Sequence, residues 1–206
     1  LLAITHTASA HVVVKPSEVV TGSFETFSVS VPVERGVPTT AIKLDIPAGL
    51  QYVTPTVKPG WTISVSKDGE AEDAAVKSIT WTGGQIEPGF RDDFSFGAKT
   101  PDTQTQLQWK AYQTYADGLI IEWNVREDQL PKKADGSPDF SQSGPFSITK
   151  VLDKTTLGTK IDHVHDNAHA AQAAARRATY FGIAGIVVGF VGVFMATRKK
   201  VRTPRK

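Results

Sequence analysis

The 206-residue chain contains no cysteine. This absence excludes structural disulfides, thiolate metal sites and lipoprotein anchoring through a cysteine. The folded part must therefore be stabilised by core burial alone, for which roughly 140 residues are sufficient. Methionine is also scarce, because the single one, Met195, lies in an apolar segment near the C-terminus. A soft metal ion, which prefers sulfur ligands, therefore has no evident site.

Histidine is scarce in the region that is predicted to fold. The five histidines are His6, His11, His163, His165 and His169, and only His11 lies in that region. A Ser-His-Asp site needs a histidine built into a pocket. The chain also has no Walker loop, no Rossmann glycine pattern and no zinc-type histidine spacing in this region. We therefore expect a binding protein rather than an enzyme.

Neither positive nor negative charge predominates in this chain. The formal net charge is +2, and many of the basic residues flank the C-terminal apolar segment. The rest of the chain carries no basic stripe of the kind that binds phosphate backbones. Nucleic acid is therefore not expected as a partner.

The N-terminus resembles the end of a signal peptide. Ala8-Ser9-Ala10 has the small-x-small form of a signal-peptidase site, and Leu1-Leu2-Ala3-Ile4 has the composition of an apolar h-region. Residues 1–10 are therefore predicted to be a truncated signal peptide, and cleavage after Ala10 would leave His11 as the first residue. The alternative is a short apolar strand that stays attached.

The C-terminus has the pattern of a membrane anchor. No charged residue stands between Arg177 and Arg198. Residues 178–197 would span about 30 Å as a helix, which matches one bilayer core. The basic tail, residues 198–206, is expected in the cytoplasm by the positive-inside rule. A buried soluble helix is disfavoured because the segment is not amphipathic. We therefore expect a single-pass protein of the cell membrane with its N-terminal domain outside.

Residues 11–152 are predicted to be all-β. Hydrophobic residues alternate with period two in several short segments, which is typical of half-buried strands. The predicted strands cover residues 11–15, 24–31, 40–46, 61–66, 78–82, 94–96, 107–115, 119–125 and 146–152. Turn sequences, Gly83-Gly84 among them, separate these segments. The spacing favours a two-sheet β-sandwich of immunoglobulin- or cupredoxin-like appearance, followed by a linker and one C-terminal transmembrane helix.

The dipeptide Asp117-Gly118 predicts a two-residue hairpin turn. Such a turn would pair Tyr115 with Ile120 and Tyr112 with Trp123. Trp123 is accordingly predicted to be a core or cross-strand aromatic residue.

The chain becomes polar after this hairpin. Residues 127–144 carry mostly polar and turn-forming side chains, and residues 153–177 have the composition of a stalk. If the stalk is helical, His165 and His169 share one face. Together with His163 they form either a second, loose metal site or part of a polar spacer.

Glu25 is an acidic residue within an alternating strand. The alternation places it on the inward face, with Phe27 and Val29. An inward carboxylate is costly unless it is paired or bound to a metal. From the pattern alone, a carboxylate that stays solvated at the mouth of the sandwich, or that pairs with a nearby lysine, is favoured.

Four segments carry a resemblance to a known family. They are HVVVKPSEVVTGSFETFSVSVP from His11, PTTAIKLDIP, Pro59-Gly60-Trp61, and WKAYQTYADGLIIEW ending at Trp123. These segments, which run in order over most of residues 11–152, resemble the YcnI-like copper-binding domain. The layout of that family, with a signal peptide, a sandwich, a histidine-bearing linker and one C-terminal span, is also similar.

The resemblance implies a Cu(II) site of the type called a monohistidine brace. Its amine and Nδ1 ligands correspond to His11, its carboxylate to Glu25 within GSFETF, and its nearby tryptophan, which closes one face, to Trp123. Two nitrogens with carboxylate oxygens suit tetragonal Cu(II). Because copper must displace the proton of the amine, binding is expected to weaken as the pH falls.

The implied function is an extracytoplasmic, membrane-tethered Cu(II)-binding protein, a chaperone or scavenger in copper homeostasis. Its partners would be the copper ion, the membrane and other extracytoplasmic copper proteins. Two alternatives remain open at this point. One is a histidine-brace oxidase, although such braces normally use a second histidine. The other is a structural or adhesive β-sandwich that binds no metal.

Overall fold

The computed structural model describes residues 11–156, and residues up to Lys154 belong to one compact unit. This part of the chain contains one short 3-10 helix, Glu127–Gln129, and twelve strands. The strands are β1 (Val13–Lys15), β2 (Glu18–Val20), β3 (Phe24–Pro32), β4 (Thr39–Asp45), β5 (Gln51–Pro55), β6 (Thr62–Lys67), β7 (Val76–Ile86), β8 (Arg91–Lys99), β9 (Thr105–Tyr115), β10 (Ile120–Val125), β11 (Ser143–Pro145) and β12 (Ser147–Leu152).

The strands form two sheets. The smaller sheet has the order β1-β3-β8-β5, and the larger has the order β11-β10-β9-β4-β7-β6. Strand β12 pairs with β9 and, in parallel, with β2. The predicted two-sheet β-sandwich is confirmed.

The core lies between the sheets and follows the period-two pattern. In β3 the inward side chains Phe27, Val29 and Val31 are fully buried, while their neighbours are partly exposed. The ring of Phe27 lies 5.3 Å from that of Phe96 and 5.1 Å from that of Trp109, so both sheets contribute to one aromatic cluster. Burial of such large side chains provides the main stabilisation of a domain without disulfides.

All nine predicted strands are present, and three more are found. Strands β2, β5 and β11 were not predicted because they have only three to five residues and no clear alternation. The predicted turn at Gly83-Gly84 is wrong, since both glycines lie within β7. A Cβ atom on Gly84 would lie 2.2 Å from the ring of Trp61, so glycine is needed there for close packing.

The hairpin between β9 and β10 has a different register from the predicted one. The amide of Tyr115 donates to the carbonyl of Leu119 at 2.9 Å, which leaves three residues in the loop. Gly118 has φ +83°, as expected for the last position of a three-residue hairpin loop. Trp123 therefore lies opposite Ala111 rather than Tyr112.

His11 and the point where the chain leaves the sandwich lie at opposite ends of the domain. Strand β1 is antiparallel to β3, with Val13 opposite Ser30 and Lys15 opposite Ser28. His11 therefore lies near the C-terminal end of β3, which we call the His11 end. At the other end, the amide of Thr21 donates to the carbonyl of Leu152 at 2.9 Å, where the described chain is about to finish. We call this the exit end.

The predicted segments that flank the sandwich lie outside the described residues. These are residues 1–10, the stalk beyond residue 156 with its three histidines, the apolar segment 178–197 and the tail 198–206. Between residues 11 and 156, no helix has the length and apolar character that a membrane crossing requires.

Candidate metal site

The ring of His11 lies between two aromatic side chains. Its centroid is 5.7 Å from that of Trp123 and 5.0 Å from that of Phe140, with interplanar angles of 54° and 57°. Atom Nε2 of His11 is buried and has no hydrogen-bond partner within the described residues. Since Nε2 is enclosed by protein, it is not available to a ligand from solvent.

Trp123 reaches His11 because of the alternation in β10. Trp123 and Ile121 point inward and are buried, whereas Glu122 is exposed and accepts a hydrogen bond from Asn124 at 2.6 Å. The indole Nε1 of Trp123 donates to Oε1 of Gln113 at 3.2 Å. The orientation of the indole ring is thus set by a buried polar residue on the neighbouring strand.

Gln113 is a fully buried side chain with all its amide hydrogens engaged. Its Nε2 donates to the carbonyl of Pro32 at 2.9 Å and to Oγ1 of Thr39 at 2.8 Å. A buried amide of this kind is stabilising only when it is satisfied. Gln113 therefore connects Trp123 to the end of β3 and the start of β4.

The other side of the Trp123 ring packs on the main chain of β11. Gly144 lies opposite Trp123 in this parallel pair. A Cβ atom at this position would lie 2.2 Å from Cε3 of Trp123. Only glycine permits this approach, so β11 and Gln113 together fix the tryptophan beside His11.

Phe140 is a site residue that the sequence analysis did not identify. It lies in the segment interpreted as polar, which doubles back on itself through a bridge between Lys132 and Pro138. The same segment contributes the buried side chain of Leu130. Phe140 is the sole aromatic residue between positions 127 and 144, and an isolated aromatic of this kind was the available signal.

Glu25 is not brought together with His11 and Trp123. It lies near the start of β3, opposite Ala98, and accepts a hydrogen bond from the hydroxyl of Ser23 at 2.8 Å. Continuing the β1–β3 register places His11 opposite Pro32, about 23 Å along the strand from Glu25. The alternation correctly predicts the inward face of Glu25, but it carries no information about which end of β3 faces His11.

Glu34 is one of the carboxylates near the His11 end of this strand. It follows Pro32 by two residues and is exposed. Burial raises the pKa of Tyr115, the guanidinium of Arg35 lowers it, and the negative charge of Glu34 raises it further. Glu34 is therefore close enough to this end of β9 to act electrostatically there. An acidic residue directly after a buried strand was the signal for it.

Arg35 adds a cation to the same rim. Its Nη2 lies 2.8 Å from Oδ2 of Asp117, and its guanidinium carbon lies 5.0 Å from the centre of the Tyr115 ring. Both charged side chains of this pair are more than a third exposed. The pair orders the loop beside Glu34 while contributing little free energy of its own.

The number of ligating side chains limits what this site can bind. Within residues 11–156, no group of three or more histidine, cysteine, aspartate or glutamate residues is arranged to hold a metal ion. A metal at His11 would therefore need a donor other than these side chains. The α-amine of His11 would be such a donor if residues 1–10 were removed.

Comparisons with known proteins identify the family to which the chain belongs. The family model described as "Domain of unknown function (DUF1775)" matches residues 11–141. The copper-binding protein CutI of Bacillus subtilis (strain 168) is 43% identical over 130 residues. This alignment covers 62% of the present chain and 62% of CutI, so the chain spans less than two thirds of that relative.

A solved structure supports the fold. An uncharacterized protein from Nocardia farcinica, whose crystal structure has an immunoglobulin-like fold, is 26% identical with a TM-score of 0.53. The superposition covers 69% of this chain and 98% of that one. The chain therefore belongs to the DUF1775 family, and its resemblance to the YcnI-like copper-binding domain is confirmed.

Proposed function

We propose that this chain is an exported, membrane-tethered protein that binds Cu(II) at His11 after removal of residues 1–10. The observation that carries the proposal is the placement of the His11 ring between Trp123 and Phe140 with Nε2 enclosed. A ring held in this way offers Nδ1, the nitrogen that can chelate together with the amine of the same residue. The family match begins at His11, and a relative is named a copper-binding protein.

The proposed ligands are the amine and Nδ1 of His11 with the carboxylate of Glu34. Glu34 replaces Glu25 in this role because it stands at the His11 end of β3. Two nitrogens and carboxylate oxygens suit the tetragonal geometry of Cu(II), which also binds such ligands more tightly than the other divalent first-row metals. The copper ion is the cargo of the protein in this proposal.

Trp123 is proposed to close one face of the bound ion. Its ring is fixed by Gln113 and Gly144, so it blocks a coordination position without being a ligand itself. A closed face favours holding copper over activating oxygen, because oxygen needs an open position. This favours a chaperone or scavenger over a histidine-brace oxidase.

The first experiment tests the amine ligand. The protein is prepared with His11 as its first residue and titrated with Cu(II), with the electron paramagnetic resonance spectrum as the readout. A matched variant carries one extra alanine before His11. We expect the extra residue to weaken binding at least a hundredfold and to change the spectrum. Unchanged affinity and an unchanged spectrum would show that the brace is absent.

The second experiment tests the carboxylate. Glu34→Gln is compared with Glu25→Gln in the His11-initiated protein. Both replacements remove one negative charge, but Glu25 lies near the start of β3 and Glu34 lies two residues beyond its end. We expect Glu34→Gln to weaken Cu(II) binding and to shift the spectrum, and Glu25→Gln to leave both unchanged. The opposite result would restore Glu25 as the ligand.

The membrane tether has a separate test. The full chain is expressed in cells behind a complete secretion signal, and the membranes are extracted at alkaline pH, which releases peripheral proteins. We expect the full chain to stay with the membrane and a chain ending at residue 156 to be released from the cells. Release of the full chain would contradict the tether and would leave the copper proposal intact.

A further inference from the structure

Two aromatic side chains are exposed together on the smaller sheet. Phe24 is 71% exposed and Tyr52 is 72% exposed, and their ring centroids lie 5.9 Å apart. Isolated exposed apolar residues are common on soluble domains, but an adjacent pair of large aromatic rings is a feature of binding surfaces.

The backbone at Tyr52 is unusual. Its φ of 53° is the only positive value found for a residue other than glycine within the described part of the chain. This conformation is unfavourable for an aromatic residue, and such outliers persist where the side chain has a role. Here the conformation places the Tyr52 ring beside the ring of Phe24.

The aromatic pair lies at the exit end of the sandwich. Phe24 is opposite Lys99 in β8, and Gln51, the neighbour of Tyr52, is opposite the same lysine. The amide of Thr100 donates to the carbonyl of Ser23 at 2.9 Å. Leu152 is hydrogen-bonded to Thr21 close by, so the chain leaves the sandwich at this end on its way to the apolar segment 178–197.

We propose that the Phe24–Tyr52 pair rests in the headgroup region of the lipid bilayer to which the chain is tethered. This inference rests on the membrane tether of the proposed function but not on copper binding. Exposed aromatic rings partition into the membrane–water interface, especially when, as in tyrosine, the apolar ring carries a polar hydroxyl. The His11 end then faces away from the membrane, since β3 separates it from Phe24 by about 26 Å.

The charges around the pair favour a contact with uncharged lipid headgroups. Tyr52 borders a surface depression that is also lined by Lys67, Glu72 and Asp73. Lys99, which lies opposite Phe24, adds a second cation beside the pair and is bridged to Asp102 at 3.1 Å. Because charges of both signs surround the pair, they give no strong attraction to anionic lipid. We therefore expect contact through the aromatic rings that persists in phosphatidylcholine and at high salt.

Because the chain is tethered to the bilayer, even a weak contact between the aromatic pair and the lipid is enough to hold the exit end there. Residues 157–177 connect the described domain to the apolar segment. A linker of this length keeps the domain at a high effective concentration near the bilayer, of the order of millimolar for a flexible chain. Two interfacial aromatic side chains can thus keep the exit end on the membrane even though they would not recruit a free domain.

The test uses the full chain in phosphatidylcholine vesicles. Because the chain has no cysteine, a single one can be introduced and labelled with an environment-sensitive dye. Thr26→Cys places the dye beside Phe24, and Phe90→Cys places it at the His11 end, and both positions are exposed. Lipids with a spin label in the headgroup then quench dyes that lie close to the bilayer.

We expect the dye at position 26 to be quenched at least twofold more than the dye at position 90. Adding Phe24→Ser and Tyr52→Ser should remove this difference, with no change at position 90. Equal quenching at both positions, or quenching that survives the double replacement, would overturn the proposal. So would a dimer in detergent that the double replacement dissociates, because a second copy would then cover the pair.

The outcomes separate this inference from the proposed function. Release of the full chain from the membrane on alkaline extraction would contradict both the tether and the membrane contact. Retention of the chain with equal quenching would refute only the contact. Neither result affects Cu(II) titration of the His11-initiated protein, which stands as an independent measurement.

Discussion

The indole nitrogen of Trp123 donates to Gln113, a side chain with no exposed surface, at 3.2 Å. The same glutamine holds the carbonyl of Pro32 and the hydroxyl of Thr39. One amide thus joins β10, the end of β3 and the start of β4. The position of the aromatic ring beside His11 depends on this buried polar group.

Gln113→Leu is expected to lower the free energy of unfolding by about 3 kcal/mol, because three buried polar groups would lose their partner. Urea unfolding followed by tryptophan fluorescence measures this. The matched control is Gln108→Leu, on the exposed side of the same strand, for which we expect a change within about 0.5 kcal/mol. Similar effects of the two replacements would show that the Gln113 network contributes nothing specific.

Gly144→Ala is expected to displace the Trp123 ring, because the added Cβ would lie 2.2 Å from it. Stability should fall and the tryptophan emission should shift as the ring moves towards solvent. Gly36→Ala is the control, since no atom lies within 4 Å of its added Cβ. A Gly144→Ala protein with unchanged stability and emission would mean that β11 does not fix the ring.

Phe140→Ala should uncover Nε2 of His11 and leave the ring of His11 less ordered. Ordering a side chain costs about 1 kcal/mol, so we expect Cu(II) to bind about fivefold more weakly. The titration described for the His11-initiated protein measures this. Phe24→Ala, which removes an exposed phenylalanine at the exit end, should leave the affinity unchanged. An unchanged affinity in Phe140→Ala would argue against a role for this residue in presenting Nδ1.

Tyr115 provides a prediction for alkaline solution. Burial raises its pKa above the ordinary value of 10.0, so the folded state keeps a proton that the unfolded state releases. The stability that comes from the protonated Tyr115 is fully present below the unfolded-state pKa and is lost as the pH rises through the pKa of the folded state. Tyr115→Phe should therefore lose less stability than the wild type between about pH 10 and 12.

Tyr112→Phe is the control for this measurement. The pKa of Tyr112 is also raised, by burial and then by the charge of Asp45, but its side chain is far less enclosed. Its replacement should therefore change the alkaline loss of stability only slightly. Chemical denaturation at a series of pH values gives the comparison. An equal alkaline loss in Tyr115→Phe and the wild type would contradict the assignment.

Local patterns in the sequence predicted the strands but not how the strands meet. The alternation in residues 24–31 reports which side chains of β3 point inward, and the structure agrees. Which end of β3 lies beside His11 is decided by its pairing with β1, a contact between strands that no local pattern encodes. The sequence pattern therefore could not show that Glu25 lies at the end of β3 away from His11.

The hairpin shows the same limit at shorter range. The turn signal at Asp117-Gly118 correctly located the reversal, but one additional loop residue shifted the register and placed Trp123 opposite Ala111. The inward face of Trp123 was still predicted correctly because its own strand alternates. Phe140 and Gln113 depend on contacts across the fold, and their sequence surroundings gave at most an isolated aromatic or an inward polar residue.

The irregular course of β5 has a consequence for solubility. This strand is one of the two edge strands of the smaller sheet, and its pairing with β8 is interrupted between Gln51 and Thr54. It also ends at Pro55, which has no amide hydrogen to offer. A regular border strand would present a row of free amides and carbonyls to a neighbouring chain. The break at Tyr52 removes that template, so this border is protected against edge-to-edge aggregation.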